Sequence, residues 1–163
     1  VRRLTITPQA CAETLTVLIT IAWSDGRLDD REKAGVRGAA EVLNLTKEHR
    51  AQLDAMLAKA PSLDQVHVDR LSARDKEFAY VAAAWMCGVD DEVSAREEGQ
   101  LYKLADKLSI DDDRKIALEK VARGLEPAKE RKWGDEVVRL FKSIPPRLEP
   151  AAPAGEEIEV TFE

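Results

Sequence analysis

Ala22-Trp23-Ser24-Asp25-Gly26-Arg27-Leu28-Asp29-Asp30-Arg31-Glu32 returns further along the chain as Ala84-Trp85-Met86-Cys87-Gly88-Val89-Asp90-Asp91-Glu92-Val93-Ser94-Ala95-Arg96-Glu97, with three residues inserted after the glycine. From Leu28, which pairs with Val93, the offset stays at 65. Val36 then pairs with Leu101, Ala39 with Leu104, Ala40 with Ala105, Leu43 with Leu108 and Leu53 with Leu118, while Asn44-Leu45-Thr46 pairs with Ser109-Ile110-Asp111. The match takes in core positions, turn residues and helix-start residues together, which chance periodicity does not produce. Two pseudo-symmetric helical hairpins packed around the first and fifth helices are the expected architecture, an all-α bundle.

Helix signals extend outward from the repeat. Thr7-Pro8 sets a capping hydroxyl before a proline at the first helical position, and Cys11, Leu15, Leu18, Ile19 and Ala22 follow a 3.6-residue period to about Trp23. Val17 and Ile21 widen its apolar surface beyond one stripe, so this helix is expected to be central. Asp29-Asp30-Arg31-Glu32 and Ser94-Ala95-Arg96-Glu97 are capping-box patterns that open helices ending near Leu43 and Leu108. Thr46 and Asp111 cap the helices that follow, and Ser72 opens an Ala-rich helix over residues 78–86 whose small side chains let neighbours approach closely. Gly124 and Pro127 mark a stop. A last helix carries Trp133, Val137, Leu140, Phe141 and Ile144 on one face and ends at Pro145-Pro146. No window before the final eight residues alternates in the manner of a strand.

The 163 residues, 44% apolar and 34% charged, have the balance of one globular domain. No run approaches the roughly 18 apolar residues of a membrane span, and no secretory leader follows Val1-Arg2-Arg3, so a cytosolic protein is expected. The net charge of −6 is concentrated at one end: Glu149, Glu156, Glu157, Glu159 and Glu163 follow Arg147 with no intervening base. A near-neutral body with an acidic tail argues against nucleic acid or an anionic membrane as partner, because phosphate binding needs clustered Lys and Arg. Cys11 and Cys87 lie in apolar stretches without metal-ligand spacing and are expected to be buried, reduced and structural.

The Ala-rich helix, then Asp25-Gly26-x-Leu28-Asp29-x-x-Glu32, then a helix ending in Leu43-Asn44-Leu45, all repeated once, resembles the tellurite-resistance TerB-like family of bacterial helical domains over residues 10–125. The resemblance implies a seven- or eight-helix bundle whose two acidic motifs come together as a divalent-metal site. It also implies a non-enzymatic binding or sensing module in a stress-response or envelope-associated system, and the expected location is the cytoplasm, with attachment to the membrane through a partner as the alternative. The domain is expected to fill residues 1–144, with a Pro/Ala linker and acidic tail over 145–163. The candidate ligands are Asp25, Asp29, Glu32, Asp90, Asp91 and Glu97, and hard oxygen ligands favour Ca²⁺ or Mg²⁺. The second motif departs from the pattern: Cys87 replaces the first aspartate and Ser94 the second, leaving Glu97 in register with the inserted Asp90, Asp91 and Glu92 nearby.

Capping explains Asp29 and Glu32 without a ligand, since both satisfy the orphan N–H groups and positive end of a helix start. An EF-hand is excluded by register. Taking Glu32 as position 12 puts Ile21 and Trp23 at positions 1 and 3, where neither can ligate. His49 and His67 have no second His or Cys at ligand spacing. Phosphate-cradling glycine loops, nucleophile elbows and zinc-protease helices are missing from the sequence. Trp23, Trp85 and Trp133 are expected in the core, with Trp23 and Trp85 at equivalent repeat positions. A protein-interaction module and a divalent-metal sensor are thus the two functional expectations. In the tail, Glu157-Ile158-Glu159-Val160-Thr161-Phe162 alternates with period two, and an all-helical body offers it no sheet edge. It is expected either to be a solubilising acidic end or to dock Ile158, Val160 and Phe162 by strand addition to a protein partner or into a groove on a neighbouring copy, with the glutamates selecting a basic surface.

Overall fold

The computed structural model describes residues 2–23, 30–43, 45–59, 68–87, 95–124, 139, 141, 144 and 158–162. Strand β1 (Arg2–Ile6) leads into helices α1 (Pro8–Ala22), α2 (Asp30–Val42) and α3 (Lys47–Ala58). A 3-10 turn at Val68–Arg70 precedes α4 (Ala73–Cys87), α5 (Ala95–Lys107) and α6 (Asp112–Gly124), and strand β2 is Ile158–Phe162. Arg139, Phe141 and Ile144 also have helical backbone, within the stretch where the sequence calls for a last helix.

The starts of α1, α3, α4 and α6 have the chemistry read from the sequence, while the capping boxes expected at α2 and α5 rest on residues and side chains outside those described. The Thr7 hydroxyl accepts from Ala10 N–H at 3.2 Å, with Pro8 at the first helical position. Ser72 Oγ accepts from Asp75 N–H at 3.2 Å, so α4 begins one turn ahead of the Ala-rich core. Thr46 Oγ1 accepts from His49 N–H at 3.2 Å and Asp111 Oδ1 from Arg114 N–H at 2.7 Å, opening α3 and α6.

α1 is central. Every residue from 10 to 21 is buried, including Glu13, Thr14, Thr16 and Thr20. The polar groups tolerate this because the Thr14, Thr16 and Thr20 hydroxyls donate to the carbonyls of Ala10, Ala12 and Thr16 at 2.8, 2.9 and 2.8 Å. Glu13 accepts from Gln9 Nε2 at 2.7 Å. The most extensive interhelical packing among the described residues is α1 against α4. Ala79, Ala82 and Ala83 are fully buried on α4, and their small side chains permit that approach. Phe78 meets Phe141 edge-on, ring centroids 5.0 Å apart, which ties the last helical stretch to α4. Trp85 is in the core, and Trp23 packs at its edge with the indole N–H donating to Met56 O at 3.0 Å. Trp133 lies outside the described residues.

The chain ends correct one expectation. The body is helical, but the tail does find a sheet edge: β2 pairs in parallel with β1, Arg2 opposite Ile158, Arg3 opposite Glu159, Leu4 opposite Val160, Thr5 opposite Thr161 and Ile6 opposite Phe162. Parallel pairing requires a crossover, and here the whole helical body supplies it. Ile6 is buried in the main core, which anchors the ribbon to the bundle. The proposed linker, residues 145–157, lies outside the described residues.

Candidate functional site

α1 and α4 each run into one of the two acidic motifs, and α2 and α5 lead away from them. Glu32 is the third residue of α2 and Glu97 the third of α5, so the two stand at the same helical position in the two halves. Asp25, Asp29, Asp90 and Asp91, with Glu92 and Ser94, lie outside the described residues, as do the side chains of Glu32, Glu97 and Cys87. Among the described residues no group of three His, Cys, Asp or Glu side chains could hold a metal ion.

The 65-residue offset is repeated in hydrogen bonds on the far side of these helices. Leu43 N–H donates to Ala39 O at 2.9 Å, and Leu108 N–H to Leu104 O at 2.9 Å. Leu45 N–H reaches back to Ala40 O at 3.1 Å, and Ile110 N–H to Ala105 O at 2.9 Å, the long bond of a Schellman helix end. In the second half Ser109 adds the shorter bond to Asp106 O at 3.1 Å and takes φ 57°, a left-handed conformation uncommon for a residue with a Cβ. Arg50 N–H to Thr46 O at 3.0 Å and Lys115 N–H to Asp111 O at 2.8 Å then start the next helices in step.

The halves differ in their side chains. Between α4 and α6 runs a polar seam: Arg114 binds Glu77 through Nε at 3.0 Å and through its terminal nitrogen. The buried Tyr80 donates to Glu119 at 3.0 Å, and Lys115 lies 3.3 Å from the same carboxylate. The 65-residue offset carries Arg114 to His49, and the contact of α1 with α3 is instead organised by Trp23 on Met56 O. Tyr102 on α5 is 66% exposed and Ile116 on α6 is 53% exposed, at positions where the first half carries Arg37 and Ala51. Sequence periodicity did not single out this seam or these two residues. Comparing the repeats position by position exposes the substitution of large apolar for charged or small side chains.

Cys11 is wholly buried, and burial, with a smaller contribution from the Asp75 carboxylate, pushes its thiol up to about 12. A carboxylate in the first turn of α4 thus acts on a thiol in the first turns of α1. Such a thiol stays protonated and unreactive at neutral pH, as expected of a structural cysteine.

Residues 6–122 match the family described as "Protein of unknown function (DUF533)", and the chain belongs to that family. No curated protein and no solved structure matches it. The matched region runs from the last residue of β1 to α6 and includes both acidic motifs.

Proposed function

We propose that the chain is a TerB-like, non-enzymatic binding module made of two copies of one helical unit, serving as a protein-interaction or scaffold domain in a bacterial stress-response or envelope-associated system. What supports this reading is a difference between positions related by the 65-residue offset. Their backbone bonds recur at one offset, yet the second half exposes Tyr102 and Ile116 where the first has Arg37 and Ala51. Each is an exposed large apolar side chain, the kind of group that a protein partner covers at an interface. Exchanging both for alanine in the full chain is expected to leave the melting temperature nearly unchanged and to reduce capture of a protein partner at least tenfold. Equal capture by the parent and the double variant overturns the assignment of these two residues.

A second reading, a Ca²⁺ or Mg²⁺ sensor, draws support from Glu32 and Glu97 occupying the same position of α2 and α5, each just after an acidic cluster. Asp25, Asp29, Asp90 and Asp91 would complete the ligand set. Metal that binds only the folded state raises the melting temperature by mass action. A rise at millimolar Ca²⁺ or Mg²⁺ that is lost in Glu32→Gln and Glu97→Gln supports the sensor. No rise leaves both glutamates as helix caps.

A further inference from the structure

β1 and β2 come from opposite ends of the chain, with residues 7–157 between them and no turn joining the two strands. We propose that β1 is a strand acceptor that also takes β2 from a second copy of this chain, in the same parallel register, so that two copies exchange their C-terminal strands. The inference rests on the tail acting as an interaction strand, and it names the acceptor.

Three observations lead there. First, the five residue pairs of the ribbon are the same whether β2 comes from its own chain or from another. Only the tether favours the intramolecular form, through the local concentration it imposes. The tether between Ile144 and β2 is Pro-Pro-Arg-Leu-Glu-Pro-Ala-Ala-Pro-Ala-Gly-Glu-Glu, with a contour of at most roughly 45 Å. Second, the strands carry opposite charge. β1 opens with Arg2-Arg3, while β2 follows Glu156-Glu157 and contains Glu159, which stands opposite Arg3. In a parallel, in-register pair, β1 with another β1 sets arginines side by side and β2 with another β2 sets Glu159 beside Glu159, both unfavourable. Of the three parallel in-register pairings between copies, only β1 with β2 brings opposite charges together. Third, a two-stranded ribbon is a marginal structure by itself, so β2 can leave β1 without dismantling a larger sheet. When two copies exchange with each other, each gives one strand and receives one, and the assembly closes at two copies.

Disulfide trapping tests this in the full chain with Cys87→Ser, leaving the buried Cys11 in place. A chain carrying both Arg3→Cys and Glu159→Cys is expected to form an intramolecular disulfide, which reports the ribbon in solution. A mixture of chains carrying Arg3→Cys alone with chains of different mass carrying Glu159→Cys alone is expected to give the mixed disulfide dimer. The mixed species should exceed the sum of the two like dimers at least fivefold, and Val160→Pro in the Glu159→Cys chain should remove that excess while the helical circular dichroism is unchanged. A mixed dimer no more abundant than that sum, the random-collision value, with the intramolecular bond still forming, overturns strand exchange and leaves the ribbon and the roles proposed for Tyr102 and Ile116 intact. Absence of any disulfide between positions 3 and 159 in the double-cysteine chain, within one copy or between two, overturns the ribbon and the exchange together.

Discussion

Ser109 stands in the left-handed region at φ 57° because the Schellman end of α5 requires it there, and a residue with a Cβ is held in that region at a cost of roughly 1–2 kcal/mol. Ser109→Gly is therefore expected to stabilise the protein by about 0.5–1 kcal/mol, and Ser109→Val to destabilise it by about 1–2 kcal/mol, both measured by urea unfolding. Cys11 gives a pH signature of its own. Its folded pKa of about 12 lies above that of an unfolded thiol, near 8.5, so above that value the native state holds a proton the unfolded chain has released. Stability from the buried neutral thiol is complete below about pH 8.5 and is lost as pH rises towards 12, at about 1.4 kcal/mol per unit. Unfolding of the parent and of Cys11→Ala at pH 7 and pH 10 should show the parent's advantage shrinking at the higher pH. An unchanged difference refutes the shift.

At the level of elements, the caps of α3 and α6 are equivalent by position and by bond: Thr46 and Asp111 each accept an N–H three residues on. Thr46→Ala and Asp111→Ala should each lower stability by about 1 kcal/mol, and the double variant by about their sum, since they serve different helices. A double variant no worse than either single one shows that the two caps are coupled. These caps, the Thr7-Pro8 start and the buried repeat positions were legible in the sequence because each is a local rule, a hydroxyl or carboxylate two or three residues ahead of an apolar period. β1 was not legible. Five residues, two of them arginines, run straight into a helix cap, and only the partner 150 or so residues away makes Leu4-Thr5-Ile6 a strand. The polar seam of Glu77, Tyr80, Arg114 and Glu119 was hidden for a related reason, since Glu77, Arg114 and Glu119 each resemble an ordinary solvated helix position and Tyr80 an ordinary core one. As for the acidic motifs, the sequence placed Glu32 and Glu97 in matching helical positions. Whether their carboxylates converge depends on tertiary placement, which no local pattern encodes.

For the molecule as a whole, α1 is the element on which the rest depends. Leu15 and Leu18 are fully buried on it, and its principal neighbour is α4. Leu15→Ala is expected to cost about 2–5 kcal/mol, a fall in melting temperature on the order of 5–15 °C. A loss under about 1 kcal/mol in calorimetry would show that the centre of the bundle lies elsewhere. The ribbon has a different kind of importance, set by direction. Because β1 and β2 run parallel, Arg2 lies beside Ile158 at one end and Ile6 beside Phe162 at the other. Tension applied at Arg2 and at Phe162 therefore pulls along the strands. The ladder is loaded in shear, every rung sharing the force, and it does not peel open one bond at a time as a hairpin would.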